Sequence, residues 1–172
     1  DAAGALQDIS IVERVPVPPA AMLDVVRNPD RWPSFLSSVR SCKITERDAT
    51  GIEYRIGVAG LIVDVETTFR MNFLPLGVDA LAVAGDVRGS RYRWDLQPDD
   101  GGTLAVYRAN AHLGGTSGIL RMMFRHEPLF EHSANVAVGV IVTRAMVSRA
   151  IEVASRPVAP ATPPTPKTPP AP

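Results

Sequence analysis

Residues Pro128 to Ala154 form a run with no internal proline, opened by one proline and closed by Ser155-Arg156-Pro157. Proline suits the first helical position and halts a helix beyond its end, so this punctuation frames one long helix. At about 1.5 Å per residue it spans roughly 40 Å. A strand is the competing reading for Val136-Ala137-Val138-Gly139-Val140-Ile141-Val142, because a short apolar run cannot be typed by periodicity alone; length and framing favour the helix. Those seven residues are apolar on every side, which predicts burial on every side. They fall far short of the ~20 needed to cross a bilayer.

Ahead of that helix, Ile9 and Ile11 alternate with Ser10 and Val12 in a first strand that ends at Pro16-Val17-Pro18-Pro19. Ala20 to Val26 reads as a short helix, and Asn28-Pro29-Asp30 separates it from a second, Arg31 to Leu36, with Asp30 as the expected N-cap. From Val39 to Leu113 the pattern has period two, with turn residues at short intervals. It predicts strands at Arg40–Glu46, Ile52–Val58, Val63–Phe73, Asp79–Val87, Ser90–Leu96 and Thr103–Leu113, seven in all with the first.

The alternation assigns faces. One set holds Cys42, Ile44, Ile52, Tyr54, Ile56, Phe69, Met71, Phe73, Leu81, Val83, Gly85, Val87, Tyr92, Trp94, Leu96, Ala105, Tyr107 and Ala109. The opposite set holds Lys43, Arg55, Glu66, Arg70, Arg93, Asp95 and Arg108. A sheet with one apolar and one charged face needs cover on one side only, and the long helix is the only element large enough to supply it.

Composition removes several function classes. With 18 basic and 18 acidic residues, nothing draws the chain toward nucleic acid. The single Cys42 cannot form an intramolecular disulfide, and no Cys/His spacing matches a zinc site. Eight of the 16 prolines follow Arg156, so residues 156–172 read as a disordered Pro-rich tail behind one domain at residues 1–155. A first residue of Asp suits a processed mature chain as well as an excised one, leaving both cytoplasm and cell envelope open.

The order of one strand, two short helices, six strands and a long helix resembles the START-like (SRPBCC, helix-grip) superfamily. The local resemblance lies in Val17-Pro18-Pro19-Ala20-Ala21-Met22-Leu23-Asp24-Val25-Val26 and Asp30-Arg31-Trp32-Pro33-Ser34-Phe35. Within that superfamily the chain is similar to the polyketide cyclase/dehydrase and lipid transport group and to coenzyme Q-binding START-like proteins. The resemblance implies an α+β helix-grip fold, in which a curved seven-stranded antiparallel sheet wraps the C-terminal helix around an apolar cavity. It further implies a hydrophobic ligand such as a lipid, an isoprenoid quinone or a sterol-like molecule.

The face assignment then nominates Trp32, Phe35, Tyr54, Phe69, Tyr92, Trp94, Tyr107, Val138 and Ile141 as ligand-binding residues. Small residues at Gly85, Ala105, Ala109, Ala111, Ala134, Ala137 and Gly139 leave either room for that ligand or close backbone contacts. Leu61, Ile62, Leu120, Met123 and Phe124 are candidates for a gate or for transient membrane contact.

No catalytic residue, metal ligand or cofactor is expected. His126-Glu127 with Phe130 departs from a zinc-protease helix, and Gly114-Gly115-Thr116-Ser117-Gly118 is not a nucleophile elbow. The expectation is therefore a non-catalytic binder or carrier. A polyketide aromatase/cyclase using the same cavity, with Glu13, Glu46 or Arg144 beside Tyr107, is the alternative, and an interaction module without a ligand is the third reading.

Overall fold

A computed structural model describes residues 8–59, 64–112 and 128–156. Seven strands form one antiparallel sheet: β1 (Ile9–Val15), β2 (Val39–Arg47), β3 (Gly51–Val58), β4 (Val65–Leu74), β5 (Gly77–Gly85), β6 (Arg91–Asp99) and β7 (Gly102–Asn110). Their order is β1-β7-β6-β5-β4-β3-β2, so the first strand closes against the last and the rest is a meander. Helix α1 (Pro19–Val26) and a 3-10 turn (Pro29–Ser34) separate β1 from β2, and the long helix α2 (Pro128–Ala154) follows β7. This is the helix-grip architecture expected from the element order. No helix among the described residues is long and apolar enough to cross a membrane.

The proline punctuation acts as the sequence suggests. Pro18 ends the extended segment and Pro19 opens α1, while the Thr103 hydroxyl donates to the Val17 carbonyl (2.7 Å) and ties the strand exit to β7. The second short helix is a 3-10 turn capped at Asn28 rather than Asp30, and prolines at both Pro29 and Pro33 keep it short. Its Trp32 indole donates to the Val25 carbonyl (3.0 Å), locking the turn to α1. Arg27 continues the lock: its guanidinium donates to the Leu74 and Gly77 carbonyls and lies 5.1 Å from the Phe73 ring, holding the end of α1 to the β4–β5 hairpin.

Helix α2 lies on the apolar face, as expected, and the charged face is left to solvent, where Arg55 pairs with Glu66 and Asp95 with both Arg93 and Arg108. Exposed pairs of this kind are worth about 0–1 kcal/mol each, so they favour solubility and register over stability.

Three face assignments are corrected. On β5 the buried side chains are those of Val78, Ala80 and Ala82, whereas Leu81 and Val83 are exposed. The cause is a β-bulge: Thr68 pairs with Ala84 and Phe69 with Ala82, so the extra residue Val83 reverses parity between Gly85 and the rest of the strand. A second bulge between Ile44 and Glu46 sets Glu46 opposite outward-facing Glu53, removing it from the inner face. On α2, Val136, Val138, Val140 and Ile141 are 47%, 53%, 38% and 59% exposed, contrary to burial all round.

One layer of sheet reaches one side of a helix. The side it reaches carries Asn135, Gly139, Thr143, Met146, Val147 and Ala150.

Candidate functional site

Gly139 explains why that side of α2 is chosen. A Cβ added there would come within 2.5 Å of Ile9 Cδ1 and 2.9 Å of Ile11 Cδ1, so the absence of a side chain lets α2 approach β1 closely. Four residues earlier, Asn135 accepts from the Ala111 amide (3.0 Å) and donates to its carbonyl (3.3 Å), fastening the helix to the end of β7. Four residues later the Thr143 hydroxyl is buried with no hydrogen-bond partner among the described residues. The spacing of Asn135, Gly139 and Thr143 is the sequence signal for this face, masked by the more conspicuous valines.

Six of the nominated ligand-binding residues meet in one continuous group of rings. Trp32 stands edge-on to Tyr54 at 5.6 Å between centroids, and Tyr54 stacks on Phe69 at 5.7 Å. Phe69 meets the edge of Tyr92 at 5.5 Å, Tyr92 lies 6.4 Å from Tyr107, and Tyr107 lies 4.9 Å from Trp94. Phe35 packs beside this group under the Arg149 guanidinium, 5.8 Å from its ring. Val138 and Ile141 do not join it. Both are exposed, because the packed stripe leaves Ile141 on the far side of α2. Leu61, Ile62, Leu120, Met123 and Phe124 lie outside the described residues, as do Ser117, His126 and Glu127.

The register shows how small residues serve the rings. Ala80 and Ala109 flank Tyr92 on the neighbouring strands, giving its ring room to tilt. Tyr54 and Tyr92 sit three strand spacings apart, about 14 Å along a flat sheet. Curvature and two long side chains close that span, and their hydroxyls meet at 2.7 Å. Ala137 is exposed and contributes nothing to this packing.

Burial is graded along the group. Tyr54 and Trp94 are sealed, at 0% and 1% exposure, whereas Phe69 and Tyr92 are only half-buried. Two concavities, of about 260 and 300 Å³, lie on the outer face: one is bordered by Arg40, Asp64 and Asp86, the other by Arg55, Thr68 and Asp86. Within the ring group, Phe69 and Tyr92 are the half-buried members packed against the core.

Titration follows burial. Desolvation pushes Tyr54, Tyr92 and Tyr107 above the ordinary phenol value, so all three are protonated hydrogen-bond donors at neutral pH. Burial, reinforced by the charge of Asp30, pushes the inward Cys42 thiol up to about 12. At pH 8 only about one such thiol in ten thousand is thiolate. Cys42 is therefore expected to react with a disulfide reagent at least a hundredfold more slowly, by about two powers of ten, in the native protein than in denaturant. Equal rates would mean that the thiol is neither buried nor protonated.

Among carboxylates, Glu13 has inward parity on β1, pairs with Ala105 and is diagonal to Tyr107, but no hydrogen bond joins it to that phenol. Glu46 and Arg144 are exposed.

Comparison with known proteins agrees with this architecture. A family model described as polyketide cyclase / dehydrase and lipid transport matches residues 15–128. Among solved structures, a protein from Thermus thermophilus superposes with a TM-score of 0.72 at 16% identity, covering 87% of this chain and 100% of its own. The Zhui aromatase/cyclase from a Streptomyces species gives 0.68 at 14% identity, with 86% and 95% coverage. A STAR-related lipid transfer protein from Xanthomonas axonopodis gives 0.65 at 12% identity, with 86% and 88% coverage. No curated protein sequence matches the chain. Identities this low establish a shared fold and no shared activity.

Proposed function

The chain belongs to the polyketide cyclase/dehydrase and lipid transport family, and from that premise we propose that it binds and carries a hydrophobic small molecule without transforming it. The observation that carries this reading is the chemistry of the ring group: its ionisable members are phenols held in their neutral form. Acid–base catalysis needs a group whose pKa lies near the working pH and within hydrogen-bonding reach of the substrate. A phenol raised by burial moves away from that condition. The ligand rests on the half-buried faces of Phe69 and Tyr92, where an apolar body replaces water without displacing the sealed rings.

A lipid, an isoprenoid quinone or a sterol-like body fits these requirements. The exposed valines and Ile141 of α2 supply apolar surface for transient membrane contact, which is part of this proposal.

Native mass spectrometry of protein purified from its source is expected to show a non-covalent apolar adduct that organic extraction removes. Protein that carries no adduct and takes none up from a total lipid extract would refute the carrier reading.

The cyclase reading has one observation in its favour, the diagonal placement of Glu13 and Tyr107 across β1 and β7. It requires turnover of a poly-β-ketone that Glu13→Gln abolishes while binding survives. Absence of turnover with intact binding leaves the carrier.

A further inference from the structure

The hydroxyl pair at the centre of the ring group has a direction. Tyr54 is fully buried, and its hydroxyl has a single partner, the Tyr92 hydroxyl at 2.7 Å. Were Tyr92 the donor, the Tyr54 proton would be left in an apolar interior with no acceptor, at the full desolvation cost of an unmade hydrogen bond. Tyr92 is only half-buried and can satisfy its own proton elsewhere. Tyr54 is therefore the donor and Tyr92 the acceptor.

Burial raises both phenols above their ordinary value, so both hydroxyls keep their protons at neutral pH. Accepting this bond polarises the Tyr92 O–H and makes it a better donor in its turn. Beside it, Tyr107 is buried, at 7% exposure, with its ring 6.4 Å from that of Tyr92. The half-buried member, Tyr92, thus has a phenol proton to offer. Two cations border the core, Arg149 over Phe35 and Arg27 over Phe73, and both are already engaged, by Glu152 and by the Leu74 and Gly77 carbonyls respectively.

We propose that Tyr92, positioned by Tyr54, donates a hydrogen bond to a neutral carbonyl oxygen of the bound apolar molecule. The ligand class is thereby narrowed to apolar ketones, quinones and esters, in preference to hydrocarbons and free carboxylates. Tyr92 is a specificity-determining residue and Tyr54 a positioning residue. The inference rests on the binding reading above, but the direction of the hydroxyl pair does not.

The test uses the full chain and the isosteric pair 9-fluorenone and fluorene, which differ by a carbonyl in place of a methylene. The wild-type protein is expected to bind fluorenone about fivefold to tenfold more tightly, the worth of one good hydrogen bond. Tyr92→Phe should bring the two affinities together, and Tyr54→Phe should reduce the preference by about half while keeping it. With carbon-13 in the carbonyl, the infrared stretch of bound fluorenone should lie below its position in heptane for wild type, return toward it in Tyr92→Phe and fall between in Tyr54→Phe. A packing defect alone would not order the bands this way.

Without ligand, Tyr92→Phe strands the Tyr54 proton and should lower the melting temperature by about 5 °C, more than Tyr54→Phe does. Equal binding of the two probes by wild type, or a preference lost in Tyr54→Phe and kept in Tyr92→Phe, would overturn the proposal and leave the carrier reading standing. If neither probe bound, the binding reading would fail and this inference with it, while the order of the two melting temperatures would still report the direction of the pair. Should Tyr92→Phe not fold, an unshifted band in the wild-type complex would by itself overturn the proposal.

Discussion

Replacing Ala150 by glutamate is expected to lower the melting temperature by roughly 6–20 °C, whereas the same change at Ile141 should move it by no more than about 2 °C. Ala150 is fully buried in the stripe of α2 that faces the rest of the domain, and Ile141 is 59% exposed. A carboxylate forced into the first position has no partner among the core residues around it, and an unpaired buried charge costs about 3–5 kcal/mol. At Ile141 the new carboxylate meets water and has Arg144 three residues on, a spacing that favours opposite charges on a helix.

The sign of the pH effect follows. Burial raises the carboxyl pKa at Ala150 above its unfolded value, so the charge-dependent part of the destabilisation is fully present above the folded pKa and disappears below the unfolded one, leaving the cost of the added bulk. Thermal denaturation across an acid series therefore should show the Ala150→Glu deficit shrinking as the pH falls. If Ile141→Glu proved the more damaging change, α2 would be rotated about its axis by nearly half a turn from the orientation described here.

That contrast marks the boundary of what was legible in the amino-acid sequence. Element order was legible because it depends on local signals: proline at helix ends, alternation in strands and polar turn residues between them. The seven strands and the long helix follow from those signals. The face of α2 does not, because Val136 to Val142 offers apolar bulk in every direction and contact is decided by what fits. The helix turns its glycine toward Ile9 and Ile11, leaving larger valines in solvent.

Parity on β5 failed for a related reason. A bulge at Val83 is one residue of extra backbone, and no residue type in Ala80-Leu81-Ala82-Val83-Ala84 announces it. The same holds at Thr45, where the extra residue turns Glu46 outward and weakens the case for a catalytic carboxylate. The aromatic residues were legible as inward-facing, but their mutual contacts were not. The Tyr54–Tyr92 bond spans β3 to β6 and exists only because the sheet curves and alanines leave the second ring room.

Trp94→Ala should produce the second large effect, and a small aromatic molecule should partly reverse it. Trp94 is 1% exposed, lies opposite Val78 and Tyr107 in the register and stands 4.9 Å from the Tyr107 ring. Truncating a buried tryptophan to alanine removes the transfer free energy of the indole and leaves a hole, at a cost of about 3–5 kcal/mol. For a domain of this size that corresponds to a fall of roughly 6–20 °C in melting temperature. The hole is bounded by aliphatic and aromatic groups, so it suits the molecule whose shape was removed. Indole at ten times its dissociation constant would restore about 1.4 kcal/mol, or some 3–5 °C, to the variant and little to the wild type. The two results separate packing from ligand binding. Rescue by indole without loss of the fluorenone preference would place Trp94 in the supporting core and the ligand contact on Tyr92. A variant as stable as the wild type would mean that the indole is not enclosed, and the ring group would then be open along its whole length.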